Sequence, residues 1–354
     1  MPDRCAGKRS GEYKMIILSD CLTETVDEGC IKVAVSLVKR IKEQDPAVTV
    51  ITFDRQSGLS DVHMELNKLF LNRRLRKMLR RKKEEILYIP FASNTLASTV
   101  RTWILSRFSG KRVRALFCLR HPMGALAKLF LKLSGAEIIT LSGESYDYYR
   151  SETGNPVLYL KTGVDTKRFV PAESNKKEAL REKYGVVPGK KVVLHVGHLK
   201  KNRNIEALLK IMEEYHVFLV LSSVTRESAD RELGEALMSK KNITVIDTYL
   251  PHIEELYQMA DVYLFPVTEK EGCIDVPLSV LEAASCNVPI VAAKYGELAQ
   301  FTEEPGFCFL SSFEAGALNQ AIGRMAKYED CRNREAVLSY DWTEGVCLLT
   351  GDNE

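Results

Sequence analysis

Three stretches of this chain hold residue types at spacings suited to chemistry. In residues 271–293 (EGCIDVPLSVLEAASCNVPIVAA), two acids, Glu271 and Asp275, precede a proline-led helical pattern that carries Glu282. Pro277 suits the first turn of a helix because its missing N–H costs nothing there. The N–H groups that follow, at Leu278 and Ser279, are free to hold an anion, and Glu282 projects from the second turn. The alternative for Glu282 is a solvated helix glutamate. In residues 192–199 (VVLHVGHL), continued by KKNRNIEALLKI, Gly197 lets a phosphate approach the backbone, and the following helix turns its N-terminus to the same place. Arg203 adds a fixed positive charge there, which a diphosphate needs because negative charge grows on it as it departs. His198 would be partly charged near neutrality, whereas His195 falls inside a strand pattern as a core histidine. His121 follows the run RALFCL and precedes Pro122 and Gly124, so it belongs to a loop.

Two further features concern partners. Residues 73–83 (RRLRKMLRRKK) contain eight basic residues of eleven, while Leu71, Leu75, Met78 and Leu79 fall on one helical stripe. This predicts a helix packed on a sheet with a cationic outer face, which either is simply solvated, or docks on an anionic membrane surface or an acidic or lipid-linked acceptor. Nucleic acid is disfavoured, since no aromatic residues interleave with the charges as a stacking platform requires. Asp27-Glu28-Gly29-Cys30 precedes an amphipathic helix pattern (IKVAVSLVKRIKEQ), where doubly wound folds bind ligands. A GxGxxG does not follow the first strand pattern, which argues against a nicotinamide dehydrogenase.

The elements that must position these groups alternate along the chain. Strand patterns fall at 14–19, 48–53, 86–90, 114–119 and 137–141, and again at 191–196, 217–221, 243–246, 262–266 and 289–293, with helical patterns between them. Repeated strand–helix–strand units predict an α/β chain with parallel sheets covered on both faces. The pattern breaks around 156–169, and 175–189 is charged and turn-rich. The expected architecture is two doubly wound Rossmann-like domains, 1–160 and 161–335, facing each other across a cleft, with 336–354 returning to the first.

At 354 residues the chain exceeds the size at which one core keeps growing, consistent with two domains. Net charge is +3 but divided unevenly: 27 Lys+Arg against 17 Asp+Glu over 1–160, and 23 against 30 over 161–354. Halves of opposite sign suggest different partners for each. Nine cysteines without a CxxC pair or zinc-like His spacing suggest reduced thiols and a cytoplasmic protein with no metal site. The apolar run at 15–18 is too short for a signal peptide, and no stretch approaches a membrane span.

Glu282-Ala283-Ala284 with 287–292 (NVPIVA) resembles the signature of the retaining GT-B glycosyltransferases of family 4, the group 1 type. In that family a glutamate on this helix contacts the nucleotide ribose, and an acid seven to eight residues earlier contacts the donor sugar. Here the eighth place back is Ile274, so Asp275 or Glu271 must serve, with Asp275 favoured because Pro277 stiffens the loop beside it. Residues 162–171 (TGVDTKRFVP) are similar to the family's interdomain junction. Residues 249–266 resemble the segment whose loop, at Leu250, holds the base, and 339–342 (SYDW) the start of its C-terminal helix. The family carries an arginine directly after the Gly197 position and a lysine further on, places taken here by His198 and Arg203. The resemblance also implies a phosphate-facing loop at Gly29 and a histidine near the reacting sugar, which falls on His121.

Taken together, the resemblance implies transfer from a nucleoside diphosphate sugar to a glycan, lipid-linked or small-molecule acceptor with retention of configuration. It implies no cofactor beyond the donor substrate. The rival reading is a nucleotide-binding scaffold without turnover, motivated by Ile274 and His198. A nucleotide-sugar epimerase of the same architecture is disfavoured by the transferase signature.

Overall fold

The computed structural model describes residues 15–24, 26, 28–53, 56–67, 69–70, 72–81, 84–161, 163–222, 230–269 and 273–350. The chain divides into two compact units, Met1–Thr162 with Trp342–Glu354, and Gly163–Asp341.

The first unit is built on seven strands: β1 (Met15–Ser19), β2 (Thr49–Thr52), β3 (Val62–His63), β4 (Glu85–Ile89), β5 (Val113–Leu116), β6 (Glu137–Thr140) and β7 (Val157–Tyr159). They lie in the order β3-β2-β1-β4-β5-β6-β7, every pair parallel. The second unit has six: β8 (Lys191–Gly197), β9 (Tyr215–Leu221), β10 (Ile243–Ile246), β11 (Val262–Phe265), β12 (Ile290–Ala292) and β13 (Phe307–Phe309). Their order, β10-β9-β8-β11-β12-β13, is also wholly parallel. In both sheets the chain steps outward, then returns to the other side of its first strand. The switch points therefore fall between β1 and β4 and between β8 and β11, where doubly wound sheets bind ligands at their carboxyl ends.

Central strands are buried throughout, as in β1 (MIILS), because helices cover both faces of a parallel sheet. The edge strands β3, β7 and β13 were not legible, and 157–159, read as a break in pattern, forms β7. Two or three residues at a sheet edge are too few to establish a period. The helix Gly29–Gln44 buries Ile31, Ala34, Val35, Val38 and Ile41, the spacing of one apolar face.

The basic helix Arg73–Arg81 places Leu75 and Leu79 in the first unit's core and leaves Arg73, Arg74, Lys77 and Arg80 exposed. Arg76 stacks its guanidinium 4.1 Å from the Phe108 ring centre. Leu71, Lys82 and Lys83 lie outside the described residues. The helix Trp342–Thr350 belongs to the first unit, where buried Arg114 donates to the carbonyl of Leu349 and pairs with Glu137 at 2.6 Å.

The expectation of reduced thiols is corrected at one position. Cys347 in this helix is disulfide-bonded, while the other seven described cysteines are free. A disulfide needs proximity in the fold, not a particular sequence spacing, so the thiol count carries no argument about compartment. Among the described residues, no helix is long and apolar enough to cross a membrane.

Candidate functional site

Gly197 closes β8 at the switch point of the second sheet. A Cβ there would lie 2.9 Å from His195 Nε2 and 3.6 Å from Arg203 Nη1, so the imidazole packs against the glycine too closely for a side chain, with the guanidinium beside it. His195 is fully buried, with Nδ1 2.8 Å from the carbonyl oxygen of Leu264 and its ring stacked on Tyr263. Among the described residues its Nε2 has no hydrogen-bond partner, nor has the buried Nε of Arg203.

Two expectations about this loop are corrected. The segment after Gly197 forms two 3-10 turns, Lys201–Arg203 and Ile205–Lys210, in place of an α-helix. Asn204 separates them at φ 53°, with its side chain donating to the carbonyl of Pro266 at 3.1 Å. Tertiary anchoring outweighs the helical period, and the phosphate-facing helix N-terminus is not formed. His198, in turn, is buried and neutral: burial first, then Arg203, Lys200 and His195, pushes it down to about 3. Burial likewise pushes His195 down to about 4, with Arg203 acting in the same direction.

Across the switch point, the loop after β11 leads to the helix Leu278–Ser285, with Pro277 as its N-cap and no side-chain cap. Ser279 interacts with the hydroxyl of Tyr263, the ring that stacks on His195. Glu282 is 2% exposed, which excludes the solvated reading, and its Oε2 accepts a 2.8 Å hydrogen bond from Tyr257.

Asp275 is half-buried between buried Ile274 and Val276. Its backbone carbonyl accepts from Glu297 N at 2.9 Å, and a Cβ on Gly296, at φ 49°, would sit 2.1 Å from that oxygen. Tyr295 bonds both the N–H and the carbonyl of Cys273 through its hydroxyl, at 3.1 and 2.5 Å. Tyr295 and Gly296 thus hold the loop that presents Asp275, a support that sequence reading missed. Its only signal was a glycine just beyond a strand pattern. Ile274 stands in the core because alternate residues of this loop face inward. Glu271 lies outside the described residues. Leu250, half-buried, follows β10 beside exposed Tyr249.

Gly29 and His121 belong to the first unit. Gly29 is the first residue of its helix, not part of a preceding turn. Glu28 caps that helix by accepting from Ile31 N at 3.0 Å, which draws the start forward. The free thiols of Cys30, next to Gly29, and Cys118 share a hydrogen bond, which with burial pushes the Cys118 thiol up. Three residues on, His121 is exposed, and Asn94 clamps its backbone through bonds of 2.8 and 2.7 Å.

Residues 190–327 match the family described as Glycosyl transferases group 1. The chain carries a group 1 glycosyltransferase domain. Its fold is that of the GT-B glycosyltransferases, with two parallel-sheet Rossmann-like domains. The glycosyltransferase of Rickettsia africae superposes with a TM-score of 0.76 at 12% identity, covering 96% of this chain and 97% of that one. An Anabaena protein crystallised in complex with UDP gives 0.73 at 15% identity, covering 96% and 98%. In sequence, 147 residues are 29% identical to a Corynebacterium glutamicum protein named GDP-mannose-dependent monoacylated alpha-(1-6)-phosphatidylinositol monomannoside mannosyltransferase, over 39% of this chain and 38% of that one. The chain spans 38% to 62% of the length of the curated relatives it matches.

Proposed function

We propose that the protein is a glycosyltransferase that moves a sugar from a nucleoside diphosphate sugar to an acceptor, with retention of anomeric configuration. The observation that carries this reading is Arg203, without an ion-pair partner among the described residues and beside Gly197 at the switch point of the second sheet, within the stretch that matches group 1 glycosyltransferases. In this reading Arg203 and the N–H groups at Leu278 and Ser279 hold the diphosphate without a metal ion. Glu282 takes the ribose; a carboxylate offers about four lone-pair sites, of which Tyr257 uses one. Leu250 lies against the base, and Asp275 grips a sugar hydroxyl. By the family resemblance, His121 would act at the reacting sugar and Gly29, the first residue of its helix, at the phosphate. The departing phosphate helps deprotonate the acceptor on the same face, so no protein nucleophile is required.

The relative named above acts, by its name, on a phosphatidylinositol mannoside. A lipid-linked acceptor at an anionic membrane surface suits the exposed cations of Arg73–Arg81. The second reading, a nucleotide-binding scaffold without turnover, draws on buried Ile274 and neutral His198 at places where the family carries charged contacts. Donor consumption, followed with UDP- and GDP-sugars with and without lipid and glycan extracts, separates the two. Acceptor-dependent release of nucleoside diphosphate, with the donor's anomeric configuration kept in the product by NMR, supports the transferase. Tight nucleotide binding with no release under any acceptor supports the scaffold.

A further inference from the structure

In the first unit, the connections from β3 to β4, β4 to β5 and β5 to β6 all step the same way along the sheet. Right-handed crossovers therefore put the helices Arg73–Arg81, Leu96–Ser109 and Ala125–Ser134 side by side on one face. Arg76 of the first stacks on Phe108 of the second, and the ring centres of Trp103 on the second and Phe130 on the third lie 5.4 Å apart. On the third helix, Ala127 and Leu131 are buried against β5 and β6, while Leu126, Leu129 and Leu133 are 59%, 47% and 56% exposed. Their spacing, i, i+3 and i+7, aligns these leucines in one stripe along the outer face.

We propose that this stripe is a membrane-insertion face: Leu126, Leu129 and Leu133 enter the boundary between headgroups and acyl chains of an anionic bilayer, while cations of the three helices meet its lipid phosphates. The proposal carries the membrane reading of the basic helix to a second helix that does a different job, insertion in place of attraction. It rests on that membrane surface and not on the transfer chemistry.

Charge selects the occupant. The three helices carry six, two and two Lys+Arg and no Asp or Glu. Arg107 and Lys132 are exposed, like Arg73, Arg74, Lys77 and Arg80. A single exposed leucine needs no explanation, but a row of them edged by cations is the pattern of an interfacial helix. A second copy of the chain is a poor occupant, because a two-fold contact would set each cationic face against itself. Leu126 follows His121 by five residues, so the stripe starts at the end of the unit that holds the His121 loop. A lipid-linked acceptor anchored in that bilayer needs little reach to meet it.

Co-sedimentation of the full chain with phosphatidylcholine vesicles, with and without about one-third phosphatidylglycerol, tests this. The wild type should bind the anionic vesicles. The triple variant Leu126→Ser, Leu129→Ser, Leu133→Ser should bind about a hundredfold more weakly, about fivefold for each half-exposed leucine withdrawn from the acyl region. Its salt dependence should stay as steep, since the cations remain. Leu129→Trp should still bind, with indole emission that shifts to the blue and is quenched by lipids brominated in their acyl chains, beyond the response of Trp103 and Trp342 in the wild type. A wild type that does not bind, a triple variant that binds as the wild type does, or a bound Leu129→Trp that brominated chains leave unquenched overturns the proposal. So does a wild type that is dimeric without lipid and monomeric in the triple variant, which would make the stripe a contact between copies. Vesicle binding with the expected signatures but no sugar transfer supports this face and overturns the transferase reading alone.

Discussion

Tyr257 donates a 2.8 Å hydrogen bond to Glu282 Oε2, and both side chains are buried, at 0% and 2% exposure. The bond ties the helix Glu254–Met259 to the helix Leu278–Ser285 and fixes the carboxylate proposed to hold the ribose. Burial, reinforced by Glu282, pushes the Tyr257 hydroxyl well up, so it remains a donor at working pH.

Tyr257→Phe should therefore destabilise the protein by about 1–3 kcal/mol, the cost of a buried acceptor losing its donor, read by denaturant unfolding. Nucleoside diphosphate affinity should fall as well, since the carboxylate loses its fixed orientation. A variant as stable as wild type would show that the bond carries no energy.

Acid should weaken the ligand-free protein through its buried histidines. His195 and His198 are held at about 4 and about 3 against an ordinary 6.5, so the unfolded chain binds protons before the folded one. Their contribution is fully present above about pH 6.5 and is lost as pH falls toward about 4, by up to about 3 kcal/mol for His195 alone. Melting temperature should drop across that window, and less steeply in His195→Asn. Identical profiles for the two proteins would contradict the burial of a neutral ring.

Much of the fold was legible in the sequence because buried parallel strands print long apolar runs, as in β8 and β9, and helices print their faces, as in Gly29–Gln44. The Gly197–Arg203 grouping was visible for the same reason, each residue lying at a strand end or just beyond. What stayed hidden depends on contacts across the chain. Asn204 reaching the carbonyl of Pro266 shapes the 3-10 turns, Tyr295 and Gly296 brace Asp275, and the bond to Leu264 leaves Nε2 of His195 turned against Gly197. None of these leaves a period or motif, and His195 read as an ordinary core residue because its partner lies 69 positions away.

Asp275→Asn should lower sugar transfer by about one to three orders of magnitude, the range for losing one well-placed polar contact, while nucleoside diphosphate affinity stays nearly unchanged. Full activity in Asp275→Asn, with loss in Glu271→Gln, would move the sugar contact to Glu271.

Charge reversal at Arg73, Arg74, Lys77 and Arg80 should abolish binding to anionic vesicles, with about 1 kcal/mol lost per cation near the surface and a steep dependence on salt. Equal sedimentation with neutral and anionic lipid would leave the helix as a solvated face.

The measurement that bears most directly on the account is single-turnover transfer from a UDP- or GDP-sugar in the presence of EDTA, comparing the wild type with Arg203→Ala. Wild type should transfer the sugar without a divalent ion, and Arg203→Ala should lose more in kcat than in donor affinity, because its partner charge grows in the transition state. Abolition of wild-type transfer by EDTA, or an Arg203→Ala variant with wild-type rate and affinity, would contradict it.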